Sequence, residues 1–329
     1  IIPFFIHRLK FLKSLTWLYA GIGIAALGIV LILGSVTNGS KISYSIGGIT
    51  FQPSEFIKII FVFFLASALY ESHDFLRVLI TAVLAGIHVL ILVASRDLGS
   101  ALIFFVVYVM MVFIATGKWI YLILGSAGGC GAAVLAYHFF THIQVRVQAW
   151  QDPFSCIDNA GYQISQSLFA ISSGGWFGLG LFRGTPTSIP YVEADFVFSA
   201  VAEELGILFS MCVILICISC FIMFMNIAMR LKNKFYQLIA FGLGVTYIFQ
   251  VFLTIGGGTK FIPMTGVTLP LISYGGSSVL TTLIMFFIIE GLYIIRQDEG
   301  AKRVKKKKRR RRIEYDTEEM EEEEETEEE

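Results

Sequence analysis

Charge is scarce through most of this chain, and that scarcity excludes most functions of soluble proteins. The sequence holds 25 basic and 25 acidic residues, but Arg296 to Glu329 alone takes 11 of the basic and 14 of the acidic ones. The preceding 295 residues are left with half of all the charge, too little to solvate an ordinary globular surface. Cysteine is also sparse, with five residues at scattered positions and no metal-ligand spacing. Zinc sites and a disulfide framework are therefore not expected, and the thiols read as small apolar packing groups. No P-loop is present, and no GxGxxG follows a strand, so nucleotide binding through those loops is excluded; no organic cofactor and no nucleic-acid partner are expected.

What the chain does have is apolar sequence. Hydrophobic residues make up 56% of it, including 30 Phe, and runs long enough to cross a bilayer recur. Eight spans are expected, at about 15–33, 56–70, 76–94, 101–116, 119–139, 198–225, 236–255 and 279–295. The fold class is thus an all-α polytopic membrane protein, with residues 1–295 as the transmembrane domain and 296–329 as a charged tail. Basic residues Arg8, Lys10, Lys13, Arg77, Lys118, Arg230, Lys232 and Lys234 fall on one side if the spans alternate. By the positive-inside rule both ends are then cytoplasmic, and segments 38–55, 141–197 and 256–278 face outward. The tail carries eight consecutive basic residues from Lys305 to Arg312, then an acidic run to Glu329. It is expected to be disordered, with the basic patch held to anionic lipid of the inner leaflet.

The unusual chemistry gathers in the outward segments. In Glu193-Ala-Asp-Phe-Val-Phe-Ser-Ala-Val-Ala-Glu-Glu-Leu-Gly206, three carboxylates, Asp195, Glu203 and Glu204, stand just ahead of an apolar run. A carboxylate at a bilayer boundary is costly to desolvate, so it stays wet, caps a helix or performs chemistry. Arg146, Arg183 and Lys260 are outward cations with a fork or point charge suited to phosphate oxygens. Arg96 and Asp97 adjoin in a turn between two spans, either paired locally or facing a substrate. Ser273, Gly275 and Gly276 lie where an irregular, proline-bearing segment re-enters the membrane. Their backbone N–H groups at a helix start receive an anion, or the glycines simply serve the turn and helix packing. Gln52-Pro-Ser-Glu55 reads as a helix start, with Lys58 one turn on in position to pair with Glu55.

Four blocks, taken in order, carry a resemblance. They are Phe51-Gln-Pro-Ser-Glu-Phe-Ile-Lys58, Ser95-Arg-Asp-Leu-Gly-Ser-Ala101, the stretch from Arg146 through Gly161-Tyr-Gln and Ser173-Gly-Gly to Glu204, and Gly266-Val-Thr-Leu-Pro-Leu-Ile-Ser-Tyr-Gly-Gly-Ser-Ser278. The chain resembles the SEDS family (shape, elongation, division and sporulation), whose members include FtsW and RodA, and the last block leans towards FtsW. Arg96 departs from the family's pattern, which has proline there. Family members have ten spans, so the resemblance, with a chain that opens at Ile1, implies that the first two are missing. It implies an inverting peptidoglycan glycosyltransferase of the bacterial cytoplasmic membrane that polymerises lipid II, releases undecaprenyl pyrophosphate and pairs with a class B penicillin-binding protein among divisome or elongasome proteins. It places Asp195 as the catalytic base or as ligand to a divalent cation, magnesium or manganese. It places Arg96, Asp97, Arg146, Arg183, Glu203, Glu204, Lys260, Ser273, Gly275 and Gly276 around the substrate. Two rival readings are a transporter (flippase) of lipid-linked precursors and a non-catalytic scaffold for the penicillin-binding protein.

Overall fold

The computed structural model describes residues 11–37, 40–46, 49–71, 74–297 and 299. Nearly all of the charged tail (298 and 300–329) and, at the N-terminal end, Arg8 and Lys10, on which two of the expectations above rest, lie outside the described residues. Ten α-helices are present among the described residues: α1 (Thr16–Leu33), α2 (Pro53–Leu69), α3 (Phe75–Ala94), α4 (Leu98–Thr116), α5 (Trp119–Phe139), α6 (Thr141–Gln151), α7 (Tyr162–Gly174), α8 (Val197–Arg230), α9 (Lys234–Gly258) and α10 (Gly276–Gln297). Seven of them, all but α2, α6 and α7, are long and apolar enough to cross a membrane. At 17 residues α2 is slightly shorter, yet most of its side chains are buried among its neighbours. It occupies the second of the eight expected spans, 56–70.

Helices α2, α4 and α9 form the interior, with α1 and α3 packed on one flank and α8 on the other. Between membrane helices the attraction comes from close packing, because lipid tails are as apolar as leucine. Small residues supply the close approaches. Methyl groups of Val62 and the sulfur of Met111 fill the place a side chain at Gly242 would take, and Met225 does the same at Gly244. Phe61, Phe64 and Phe104 surround the buried imidazole of His88, whose Nδ1 lies 2.8 Å from the Leu84 carbonyl. Helix α5 differs from the rest: none of its side chains is buried, and its main packing is against α4 and α6.

Two parts of the fold depart from the helical expectation. The stretch between α1 and α2 forms a small antiparallel sheet, β1 (Ser35–Thr37), β2 (Ser40–Ile46) and β3 (Ile49–Phe51), in the order β1-β2-β3. The long segment before α8 is ordered and contains α6 and α7, neither apolar enough to register as a span.

Helix α8 is broken at Gly206, which has φ 82° and ψ 171°. A break in the membrane boundary region frees backbone groups that lipid cannot satisfy. The segment after α7 supplies the partners. Leu179 and Gly180 donate their N–H groups to the carbonyls of Glu203 and Glu204, while Ile207 and Leu208 donate to the carbonyls of Gly175 and Trp176. A Cβ at position 206 would lie 2.5 Å from both the Trp176 oxygen and the Gly178 nitrogen. Gly206→Ala is therefore expected to cost more than about 3 kcal/mol, combining left-handed strain with backbone overlap. Thermal melting in detergent checks this, with Gly28→Ala, which meets open space, as the unaffected control.

Candidate functional site

The site is assembled at the end of the bundle that holds α6, α7 and the irregular 259–275 segment. The turn leading into α8 is closed by Ala194 and Asp195 N–H groups donating to the Tyr191 carbonyl at 3.0 and 3.1 Å. It is pinned from the other side: Tyr274 N–H donates to the Glu193 carbonyl at 2.7 Å, and the Ser273 hydroxyl donates to the Ala194 carbonyl. Phe196 and Phe198, both buried, anchor the helix start.

Asp195 does not cap the helix. The cap residue is Phe196, no side-chain bond closes that end, and the Asp195 carboxylate is directed to other neighbours. Its Oδ2 instead lies 3.7 Å from the point where Gly266 would carry a Cβ. Burial pushes the carboxyl up to about 6, opposed by the Arg146 guanidinium and reinforced by Glu193. A half-buried carboxylate whose affinity for a proton reaches the physiological range is poised for general-base work.

Arg146 comes from α6 and sits between two carboxylates. Burial lowers its pKa, while the charges of Asp195 and Asp97 raise it. One guanidinium nitrogen donates to the Met264 carbonyl at 3.2 Å, and one turn later the Trp150 indole donates to the Lys260 carbonyl at 3.1 Å. These two bonds fix α6 against the 259–275 segment, and they explain why a helix of low hydrophobicity is held in place.

Asp97 lies at the start of α4 and is buried. Its carboxylate accepts from the Ser100 backbone N–H (3.1 Å), the Ser54 hydroxyl (2.9 Å) and the Gln52 amide (3.4 Å). The Gln52-Pro-Ser block thus spends its polar atoms on Asp97 rather than on capping α2, whose end no side chain closes. Arg96 stands in the left-handed region, φ 63°, where α3 ends. It lines a cavity of about 480 Å³ with Val93, Ala94, Phe139, Phe140, Thr141 and His142. The His142 Nε2 is buried without a partner, and burial together with Arg96 and Arg146 holds this imidazole below its usual range. Sequence reasoning missed His142, which sits in no motif, and the role of Ser54, whose partner is 43 residues away.

The structure therefore brings together Asp195, Arg146, Asp97 and, through His142, Arg96. Lys260 adjoins this group through its backbone, and Ser273 holds the turn before Asp195. Gly275 and Gly276 begin α10, and neither is forced by packing: a Cβ at Gly276 would meet nothing within 4 Å, and one at Gly275 would make only ordinary contacts. Arg183, Glu203 and Glu204 form a separate group. Glu203 Oε1 accepts from the Thr185 N–H at 3.0 Å, and Glu204 Oε1 from the Phe182 N–H at 3.2 Å. Between the two groups packs the apolar cluster of Ala170, Ile189 and Phe196, against which Val192 and Met264 lie.

A multi-pass helical membrane protein with a carboxylate and cations gathered at one end of its bundle is the class that fold and site define. The chain matches the family model described as cell cycle protein, FtsW/RodA/SpoVE, over residues 1–297, and it belongs to that family. It is 34% identical over 291 residues to the peptidoglycan glycosyltransferase RodA of Mycobacterium tuberculosis, covering 82% of this chain and 60% of that one. It is 33% identical to a probable peptidoglycan glycosyltransferase FtsW of Aliivibrio salmonicida (79% and 67% covered), and 31% identical to stage V sporulation protein E of Bacillus subtilis (87% and 81% covered). Identity to the three branches is similar and does not single out the division branch towards which the last sequence block leans. The chain spans about three fifths of the length of its mycobacterial relatives. Its fold is similar to a solved structure described as "Structural coordination of polymerization and crosslinking by a peptidoglycan synthase complex", with TM-score 0.75, 26% identity, and 90% and 86% of the chains covered. It is also similar to the rod shape determining protein RodA of Thermus thermophilus, with TM-score 0.62, 26% identity, and 90% and 83% covered.

Proposed function

We propose that this chain carries the catalytic centre of a peptidoglycan glycosyltransferase that polymerises lipid II at the outer face of the bacterial cytoplasmic membrane, in division or shape determination. The names of its relatives support the activity. The observation that carries the reading to particular atoms is Asp195: half-buried, unused as a cap, raised towards neutrality and facing Arg146. In this orientation both termini are cytoplasmic and α6, α7 and the 259–275 segment lie outside.

The residues divide the work. Asp195 takes the proton from the 4-hydroxyl of the acceptor disaccharide as that oxygen attacks the anomeric carbon of the donor. The bond from the anomeric carbon to the pyrophosphate oxygen breaks, the centre inverts, and undecaprenyl pyrophosphate leaves. The departing charge is met by the guanidinium groups of Arg146 and of Arg96, which lines the cavity shared with the neutral His142 imidazole, since preorganised cations act where charge develops. The apolar walls, Val93, Ala94, Phe139 and Phe140, suit the first units of a lipid tail.

Among the described residues no group of three or more His, Cys, Asp or Glu is placed to hold a metal, so a divalent cation at Asp195 would take its remaining ligands from water and the pyrophosphate of the substrate. Asp195 and Arg146 act in the step as described with or without it. Midplane charges of the transporter kind are not what Asp195 and its neighbours form, since they gather at one end. A class B penicillin-binding protein is the partner, in keeping with the synthase complex among the similar structures.

The test uses the full-length protein co-purified with its class B partner and labelled lipid II. Native protein is expected to build glycan strands. Arg146→Gln is expected to lower the rate at least a hundredfold, as loss of a charge-stabilising donor does. It also removes the cation that opposes the rise at Asp195, so the residual activity needs a higher pH. A folded native complex that makes no polymer would favour the scaffold or transporter instead.

A further inference from the structure

On the far side of the Ala170, Ile189 and Phe196 cluster from Asp195 lies a second cavity, of about 290 Å³, between α7, the segment at 179–188 and α8. Its base is Glu203, which is only 5% exposed. One carboxylate oxygen is occupied by the Thr185 N–H, while Oε2 is buried and has no partner. The carboxylate is held firmly: the backbone passes so close at Gly184 that a Cβ there would lie 2.9 Å from the Glu203 Cδ. An acceptor buried in this way without a donor is costly, so the cavity is built for a ligand that brings one.

The mouth carries the opposite charge. Arg183 lines it and is exposed, while Glu204 is engaged elsewhere by the Phe182 N–H. A cation-binding base below an anion-binding rim describes a zwitterion, and the guanidinium at the rim disfavours a bare metal ion. Phe169 and Leu179 line the cavity and are themselves partly exposed; Trp176, Phe177 and Phe182 stand out beside it, Phe182 being 93% exposed. Exposed aromatic side chains at the entry to a spanning helix mark headgroup depth.

We propose that this cavity binds the headgroup of a zwitterionic aminophospholipid, with its primary ammonium on Glu203 Oε2 and its phosphate on Arg183. A primary ammonium has the N–H donors that Oε2 lacks; a choline headgroup has none, and a glycerol headgroup has no cation. The site is independent of the glycosyl-transfer reading, since lipid occupancy is read without activity.

The full-length protein is placed in nanodiscs of equal phosphatidylethanolamine, phosphatidylcholine and phosphatidylglycerol, and the lipids it retains on extraction are weighed by native mass spectrometry. Native protein is expected to enrich phosphatidylethanolamine roughly tenfold over the bulk ratio, the discrimination expected of one charge-assisted bond. Glu203→Gln is expected to return the ratio to bulk. Arg183→Gln, at an exposed position that leaves folding intact, is expected to weaken retention of the same lipid and decides the matter if Glu203→Gln fails to fold. Equal ratios in native protein and both variants overturn the proposal and leave a water-filled cavity. Displacement of the bound species by a water-soluble diamino acid, with no lipid preference, overturns the assignment to lipid.

Discussion

Asp195→Asn is expected to abolish glycan polymerisation while making the protein more stable at neutral pH. Loss of a general base costs about 10²–10⁴ in rate, and labelled lipid II with the full-length complex measures it. The stability effect follows from the raised carboxyl, pushed up to about 6 from 3.8. A group that binds its proton more tightly in the folded state penalises folding once it ionises. The penalty is absent below about pH 4, grows between pH 4 and 6, and is complete above 6. Its ceiling is about 3 kcal/mol, because each tenfold gain in proton affinity is worth about 1.4 kcal/mol; partial solvent access reduces it. Asp195→Asn is thus expected to melt higher than native protein at pH 7.5 and equally at pH 4. A residue serving as a helix cap would give the opposite sign on replacement by a non-capping residue. The same group sets the acid limb of the native rate, which is expected to fall as pH drops through about 6. Equal polymerisation by Asp195→Asn, or a rate flat from pH 5 to 7.5, removes Asp195 from the mechanism.

The second large effect is at Lys58. Its ammonium donates to Glu55 at 2.9 Å and to Gln250 at 2.7 Å, and Gln250 in turn donates to the Thr268 carbonyl at 3.0 Å. All three side chains are buried. A buried pair is weak evidence for stability as a whole, since ions are costly to dehydrate, but removing one partner strands the other. Lys58→Met is expected to cost about 3–5 kcal/mol, seen as a large fall in melting temperature. Lys58→Met with Glu55→Leu is expected to recover most of it. A double variant no more stable than Lys58→Met alone would mean that Lys58 acts chiefly through Gln250 and the 259–275 segment behind it.

The spans were legible because a bilayer demands about twenty apolar residues and the chain supplies them in separated runs. The Glu55–Lys58 pair was legible because residues one turn apart on a helix face the same way. Asp195 stood out as an acid at a boundary where acids are expensive. Helix α6 was not legible, because what holds it is a pair of bonds to distant carbonyls and not a periodic apolar face; Arg146 and Trp150 reach Met264 and Lys260. Helix α7 was not legible because its buried face, which packs against α8, is made largely of small and polar residues, Ser165, Ser167, Ala170 and Gly174 beside Ile164. The strands between α1 and α2 are short, yet the sequence does separate them with Asn38-Gly39 and Gly47-Gly48, dipeptides that favour two-residue hairpin turns; this signal between apolar spans was legible, and the reading of spans missed it. The break in α8 was hidden because Gly206 opens the long apolar run that follows Glu203 and Glu204, where a lone glycine reads as part of the span. The split of the outer polar residues into two groups depends on Ala170, Ile189 and Phe196, which a linear reading sees only as ordinary apolar residues.

The polar triplet of Lys58, Glu55 and Gln250 also bears on how the chain is made. Helix α2 emerges early with two charges and 17 residues, whereas Gln250 and the Thr268 carbonyl are translated some two hundred residues later. Until α9 arrives, the ammonium in α2 has only half its final set of acceptors. The second helix is thus completed by almost the last, and truncating the nascent chain before α9 leaves an early segment that the membrane alone retains poorly.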